Sequence, residues 1–160
     1  MADIRTYERS HYEATMDVRY YARLHFLHIN FYRRVNYIIS ALSLISGTAA
    51  YTSAINNNPA LLTLSGVLVA IFSAIGVLWN FPEKIVQHRM LYKRYKDLDI
   101  AAPSLTLAEL DEKRKNIESD EDGTVKALEL RAFNDNVISA GRADFAEKLP
   151  FMSRVVGIIV

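Results

Sequence analysis

Three histidines near the apolar middle of the chain are the residues whose types and spacing best suit chemistry. His25 and His28 precede that stretch, and His88 follows it. If the segments before and after this stretch form two neighbouring helices, His28 and His88 lie at nearly the same distance along the chain from its middle. His25 lies one helical turn further away. Imidazoles bind metal ions and change charge near neutral pH. The three form a candidate metal site or pH switch, but no carboxylate completes the set, which favours a structural role.

Two further motifs resemble metal sites but are incomplete. Glu8 and His11 have the Glu-x-x-His spacing of carboxylate di-iron bundles, which need a second such pair that the sequence lacks. Asp120–Gly123 is acidic like a calcium loop but lacks the alternating ligands and the terminal glutamate at the proper offsets. We interpret both as solvated segments and predict no metal and no cofactor.

The composition argues against an enzyme and against a nucleic-acid-binding protein. The 160 residues include no cysteine, so a thiol nucleophile, a disulfide and a cysteine metal cluster are excluded. Nothing resembles a phosphate-binding glycine loop, a nucleophile elbow or a catalytic triad. The net charge of +1 lacks the basic excess of a nucleic-acid-binding domain.

The charges are segregated along the chain, and this segregation predicts the elements that hold the histidines. All 19 Lys and Arg and all 18 Asp and Glu lie outside Val35–Pro82. Within that stretch, residues 35–55 and 60–81 are each long enough, at roughly 31–33 Å as helices, to cross a bilayer. Residues 56–59 form the short connection, where Asn58 can cap the second helix and Pro59 suits its first turn. The sequence therefore predicts an all-α fold built on a transmembrane hairpin.

The loop charges predict the orientation of this hairpin. The connection has no Lys or Arg. Basic residues instead flank both outer ends of the spans: Arg19, Arg23, Arg33 and Arg34 before the first, and Lys84, Arg89, Lys93, Arg94 and Lys96 after the second. By the positive-inside rule, both termini lie in the cytoplasm and the connection lies outside.

Small and weakly polar residues in the spans predict helix packing. Helices in lipid approach closely where small residues recur every four positions. Two such faces serve packing within the hairpin or between copies of the chain: Ser46, Ala50 and Ala54 on the first helix, and Gly66, Ala70 and Ala74 on the second. A polar stripe also runs along the first helix, where it either bonds to a neighbouring helix or lines a narrow pore in an oligomer: Asn36, Ser40, Ser43 and Gly47.

The flanks are predicted to be cytoplasmic helices. Residues 6–34 form one helix continuous with the first span, and residues 82–101 extend the second span, with a kink at Pro82. In the region 104–160, Thr106 and Glu109 form a capping box, and Thr124 caps a helix from Val125 to about Ala140. The apolar end of the chain is too short to span a bilayer, and we expect it to dock on a helix or to lie at the membrane surface.

The layout resembles the SMODS- and SLOG-associating two-transmembrane effector (SLATT) family over nearly the whole chain. The likeness rests on these segments: Arg19–Arg23, Phe31–Arg34, the tight hairpin, His88–Tyr95, a Leu- and Glu-rich helix broken by an acidic turn, Ala132–Asp135 and the short apolar tail. The resemblance implies a bacterial or phage-borne membrane effector of conflict systems, which perforates the inner membrane and causes abortive infection. Family members respond to a sensor. Here we find no appended sensor domain or nucleotide pocket, so we expect either that a separate sensor or signalling protein acts as the trigger or that the chain is an unregulated or phage-encoded relative.

Three functions are therefore left open. The first is an oligomeric effector that perforates or depolarises the bacterial inner membrane, with the lipid bilayer and further copies of the chain as partners. The second is a membrane-anchored scaffold whose cytoplasmic helices bind a partner protein. The third is a holin-like phage protein, for which the long cytoplasmic helices are less natural.

Overall fold

The computed structural model describes residues 9–121 and 123–160. Every regular element in these two ranges is helical, which confirms the predicted all-α class. In chain order the α-helices are α1 (His11–Ile55), α2 (Pro59–Trp79), α3 (Phe81–Ala101), α4 (Leu107–Glu118), α5 (Lys126–Ser139) and α6 (Phe151–Ile159). Short 3-10 turns lie at Ala102–Ser104 and Ala143–Phe145.

Helix α1 continues without a break from the polar flank into the apolar segment 35–55. It begins at His11, where the N–H of Ser10 donates to Glu13 at 2.7 Å, so the part of the predicted helix at residues 9–10 is not helical and its first residues lie outside the described ranges. After the end of α1 at Ile55, the next helix is α2. Asn58 caps α2 by accepting the backbone N–H of Leu61, and Pro59 is its first helical residue. The predicted helix start is confirmed.

The break between α2 and α3 lies at Asn80 and not at Pro82. Asn80 has φ 41° and ψ 53°, which is the left-handed conformation. Pro82 instead occupies the first turn of α3, where its missing N–H costs nothing. The predicted interruption at Pro82 is therefore found two residues earlier, at Asn80, because Pro82 has no N–H to donate to the carbonyl of Leu78 and suits only the first turn of a new helix.

The caps of α4 and α5 differ. Thr106 accepts the N–H of Glu109, and Glu109 accepts the N–H of Thr106, which confirms the predicted capping box. Thr124 does not cap α5: its hydroxyl donates to Glu129 at 2.5 Å, and Val125 is the N-cap residue without a side-chain bond. The prediction of a Thr124 cap was wrong because this hydroxyl bonds to a carboxylate one turn further along the helix.

The described residues group into two compact units. The first contains residues up to His28 together with His88–Ile158, and its core is built from α1, α3, the following 3-10 turn and α4. The core residues are Ala14, Val18, Ala22, Leu91, Tyr95, Leu98, Ala102, Leu110 and Ile117. Helix α5 adds Leu128 and Ala132, and ion pairs join α1 to α3 and α5 at Arg19–Asp99 (2.8 Å) and Arg23–Asp135 (2.7 Å).

The second unit contains Ile29–Gln87 and the last two residues, Ile159 and Val160. It holds two long apolar helices that could span a membrane by length and composition. A core helix of a soluble protein can be as long and as apolar, but most of it is buried. Here only 11% and 6% of the most apolar 18 residues of the two helices are buried. Within residues 35–81, all of which are described, the buried side chains are Ser46, Ser53, Ser65 and Phe81.

Candidate functional site

A buried hydrogen-bonded chain in the first unit joins two of the predicted histidines. His25 Nδ1 and His88 Nδ1 lie 2.9 Å apart, and His25 Nε2 lies 3.0 Å from a carboxylate oxygen of Glu121. The same oxygen accepts the hydroxyl of Tyr95 at 2.6 Å. The rings of His25 and Tyr95 are fully buried, and His88 is 5% exposed. We call Tyr95, Glu121, His25 and His88 the histidine network.

The hydrogen bonds of the histidine network limit how its protons can be arranged. Glu121 is an acceptor, so His25 carries a proton on Nε2. Between the two Nδ1 atoms there is then one proton, carried by either His25 or His88. If both nitrogens were protonated, two N–H groups would face each other at 2.9 Å and the bond would be lost. The two Nδ1 atoms therefore share a single proton.

His28 lies beside this network, and its burial favours the neutral ring. Its Nδ1–H donates to the carbonyl of Leu24 at 2.8 Å, and its Nε2 accepts the N–H of Val125 at 2.8 Å. The ring stacks on His88 with centroids 4.5 Å apart. Burial disfavours the imidazolium and lowers the pKa of His28 from 6.5 to about 4, mainly by desolvation. His28 thus anchors the N-terminal end of α5 to α1.

The surroundings of the histidine network are acidic and aromatic. Burial raises the pKa of Tyr95 above its ordinary value, and the bond to Glu121 adds to this effect. Burial also raises the pKa of Tyr20 to about 12, with a further contribution from Glu129. Tyr21 stacks on Tyr95 at 5.3 Å. These phenols are neutral at physiological pH, and Tyr95 is a neutral donor to the carboxylate of Glu121.

The network can share protons, but it is not arranged as a metal centre. Both nitrogens of His28 bond to the backbone, and Glu121 approaches the side of the His25 ring opposite to His88. In the two described ranges, no group of three or more His, Cys, Asp or Glu residues could hold a metal ion. The structure does supply the carboxylate that the sequence interpretation had judged missing: it is Glu121.

Sequence reasoning missed Glu121 and Tyr95. Tyr95 lies two helical turns beyond His88 on the same face of α3, a spacing that could have placed it near the histidines. Glu121 belongs to the acidic segment that we interpreted as a solvated linker, 96 positions from His25. Its neighbour Asp120 does face solvent, where it pairs with Arg94 at 2.6 Å, and Asp122 lies outside the described residues.

Of the Glu8–His11 motif, only His11 falls within the described residues. Its Nε2 lies 3.1 Å from the carbonyl oxygen of Leu105, far along the sequence in the same unit. This ring therefore ties the start of α1 to the segment before α4. Glu8 lies outside the described residues.

In the second unit, the predicted polar stripe lines one open groove. Asn36, Ser40, Ser43 and Gly47 of α1 all border it, opposite Phe72, Ser73 and Gly76 of α2. The groove has a volume of about 770 Å³, and the hydroxyl oxygens of Ser43 and Ser73 lie 3.5 Å apart across it. The structure thus brings all four stripe residues together on one surface.

Several hydroxyl groups in this unit bond to carbonyls of their own helices. Thr48 donates to the carbonyl of Leu44 at 3.0 Å, Ser53 to Ala49 at 2.7 Å and Ser65 to Leu61 at 2.6 Å. Such bonds leave few polar hydrogens facing outward, which suits helices in an apolar solvent.

The two small-residue faces lie in different surroundings. On α1, Ser46 is 7% exposed and Ala50 is half-buried, whereas Ala54 is exposed. On α2 it is Ser65 that is buried, and the predicted face of Gly66, Ala70 and Ala74 is exposed along its length. A Cβ added at Gly66 would meet no atom within 4 Å. Packing within this unit therefore uses serines, and the Gly66–Ala70–Ala74 face is uncovered.

Asn134 is a further polar residue with a defined role. Its side-chain amide donates to the carbonyl of Glu147 at 2.7 Å and accepts the N–H of Glu147 at 2.9 Å. The two bonds hold the segment before α6 against α5. This residue belongs to a segment that carries the family resemblance, and its contacts here are structural.

Comparison with protein-family models, with curated proteins and with solved structures finds no match. The class that the fold defines is therefore a helical protein with a folded polar unit and two long apolar helices that could cross a membrane.

Proposed function

We propose that the chain is a two-span membrane protein that assembles into oligomers and perforates the bacterial inner membrane as a defence effector. The observation that carries the membrane part is the exposure of large apolar side chains throughout residues 35–81. Leu44, Val77 and Leu78 are 72%, 79% and 81% exposed, and the side chains buried in this range are three serines and Phe81. In water such a surface would greatly exceed the apolar patches of soluble monomers, whereas in lipid it is the expected one.

Two features of the second unit support assembly and perforation. The Gly66–Ala70–Ala74 face is uncovered, and small residues at this spacing allow helices to approach closely in lipid. The polar groove along Asn36–Gly47 would give an oligomer of these hairpins a weakly polar lining. No carboxylate, histidine or basic side chain lies in either apolar segment, so a passive path suits the chain better than ion coupling.

The context of defence rests on the SLATT resemblance, and the orientation rests on the basic flanks. In this proposal both termini lie in the cytoplasm and the histidine network faces the cytoplasm. A separate sensor or signalling protein would act on the first unit.

The membrane potential of bacteria that express the chain tests the proposal. We expect a voltage-sensitive dye to report depolarisation by the native chain and none by Gly66→Leu/Ala70→Leu. The control is Val67→Leu/Ile71→Leu, which places the same two leucines at exposed neighbouring positions outside the small-residue face and should still depolarise. Depolarisation by the first variant at equal membrane content would contradict assembly through this face.

A scaffold is the second candidate, and one observation favours it. In the first unit, an apolar groove of about 410 Å³ between α1 and α5 is lined by aromatic side chains that include Tyr12, Phe133 and Phe145. A scaffold would leave the membrane potential unchanged in every variant and would lose its protein partner when this groove is filled.

A further inference from the structure

Helix α6 has one face packed on the first unit and the opposite face uncovered. Ser153 and Val156 are buried, and Gly157 lies so close to the guanidinium of Arg131 that an added Cβ would stand 2.2 Å from its Nη1. The other side carries four large apolar side chains, which we call the α6 face: Phe151, Met152, Val155 and Ile158, exposed by 75%, 64%, 37% and 81%.

Cations border the α6 face. Lys148 and Arg154 are both exposed, and no Asp or Glu occurs from Lys148 to the end of the sequence at Val160. Arg154 is held in place because its Nε donates to the carbonyl of Leu149 at 2.9 Å. An apolar stripe with basic residues beside it is typical of helices that lie in the surface of an anionic membrane.

A second copy of the chain is a poor occupant for the α6 face. A helix of nine residues is about 14 Å long. Two such faces packed together would bury less than the ~1,200 Å² that a specific protein interface needs. A lipid surface has no such minimum, because each apolar side chain enters it independently.

We propose that the α6 face inserts into the cytoplasmic surface of an anionic bilayer, parallel to the membrane plane. This inference rests on the proposed membrane location of residues 35–81.

Site-directed fluorescence in the full chain tests the inference. Because the native sequence has no cysteine, Ile158→Cys, Leu44→Cys and Lys113→Cys can each carry one environment-sensitive label. The labelled proteins are reconstituted into phosphatidylcholine–phosphatidylglycerol bilayers that contain a lipid with a nitroxide near its headgroup. Leu44 reports on the proposed span, and Lys113 on α4 is an exposed control.

We expect the headgroup nitroxide to quench the label at Ile158 strongly and the label at Lys113 hardly at all. A nitroxide placed deeper in the acyl chain should quench the label at Leu44. Charge reversal by Lys148→Glu/Arg154→Glu should reduce quenching at Ile158 and leave quenching at Leu44 unchanged.

Quenching at Ile158 equal to that at Lys113, with Leu44 quenched, would overturn the α6 proposal alone. A label at Ile158 shielded from aqueous iodide but not quenched by lipid would indicate a protein occupant and also overturn it. An unquenched Leu44 would overturn the membrane proposal and this inference with it.

Discussion

The Nδ1 atoms of His25 and His88 lie 2.9 Å apart and share one proton. One ring belongs to α1 and the other to α3, and Glu121 joins both helices to the connection between α4 and α5. His28 adds a second bond to that connection, through the N–H of Val125. The first unit is therefore held together at this point by groups whose bonding depends on protonation.

The burial of His28 predicts that the first unit loses stability in acid. The pKa of about 4 in the folded chain lies below the value of 6.5 for an exposed imidazole, so the unfolded chain binds the proton more readily. The stability is present in full above about pH 6.5 and is lost as the pH falls towards 4. For one such group the loss is at most about 3 kcal/mol.

Unfolding in mild detergent, followed by circular dichroism between pH 7 and pH 4, measures this loss. We expect His28→Gln to be less stable than the native chain at pH 7 and to depend less on pH. His11→Gln removes a histidine that is only half-buried and should retain the native dependence. Identical pH profiles for His28→Gln and the native chain would show that His28 does not carry the effect.

Tyr95 and Glu121 give a prediction at constant pH. Tyr95→Phe removes the hydroxyl that donates to Glu121 at 2.6 Å and leaves a largely buried carboxylate with one donor fewer. We expect a loss of about 1–3 kcal/mol in the free energy of unfolding. Tyr12→Phe, at a ring that is 61% exposed, should change it by less than about 0.5 kcal/mol. A similar small change for both variants would mean that water replaces the lost bond.

The parts of the fold that the sequence could predict are those set by local patterns. The two apolar helices follow from an uncharged stretch of the right length, and the caps at Asn58 and Thr106 follow from residues within three positions of each other. The polar stripe could be predicted because α1 is regular and places Asn36, Ser40 and Ser43 on one face. Each of these depends on spacing along one element.

The histidine network could be predicted only in part, because its last members come from distant segments. Equal heights on two antiparallel helices placed His25, His28 and His88 near one another. Glu121, by contrast, reaches His25 only because the connection between α4 and α5 folds back onto α1, and no local pattern encodes that return. The exposure of the Gly66–Ala70–Ala74 face could not be predicted from the sequence either, because the spacing of small residues does not determine which helix packs against them.

Asn80 provides a test of the break between α2 and α3. Its φ of 41° is tolerated by glycine and is strained for residues with a Cβ, although Asn is strained less than most of them. We expect Asn80→Ala to lower the free energy of unfolding by about 1 kcal/mol relative to Asn80→Gly. Both substitutions remove the side-chain bond to Glu83, so the difference between them isolates the backbone conformation. Equal stabilities would indicate that α2 and α3 merge into one continuous helix.

The polar groove gives the sharpest test of perforation. If ions pass along the surface that Ser43 borders, a large side chain there should block them without preventing assembly. We expect Ser43→Phe to reduce the ion flux through reconstituted liposomes at least about tenfold, which corresponds to a barrier higher by about 1.4 kcal/mol. Ile45→Phe is the matched control, since Ile45 is 64% exposed and does not line the groove.

The oligomeric state decides how a loss of flux is interpreted. Chemical cross-linking in the same liposomes should give the same ladder for the native chain, Ser43→Phe and Ile45→Phe, because the proposed contact is the Gly66–Ala70–Ala74 face of the other helix. Loss of flux with an unchanged ladder supports conduction along the groove. Native flux in Ser43→Phe would mean that ions take another path, whereas loss of both flux and ladder would make the groove a contact between copies of the chain.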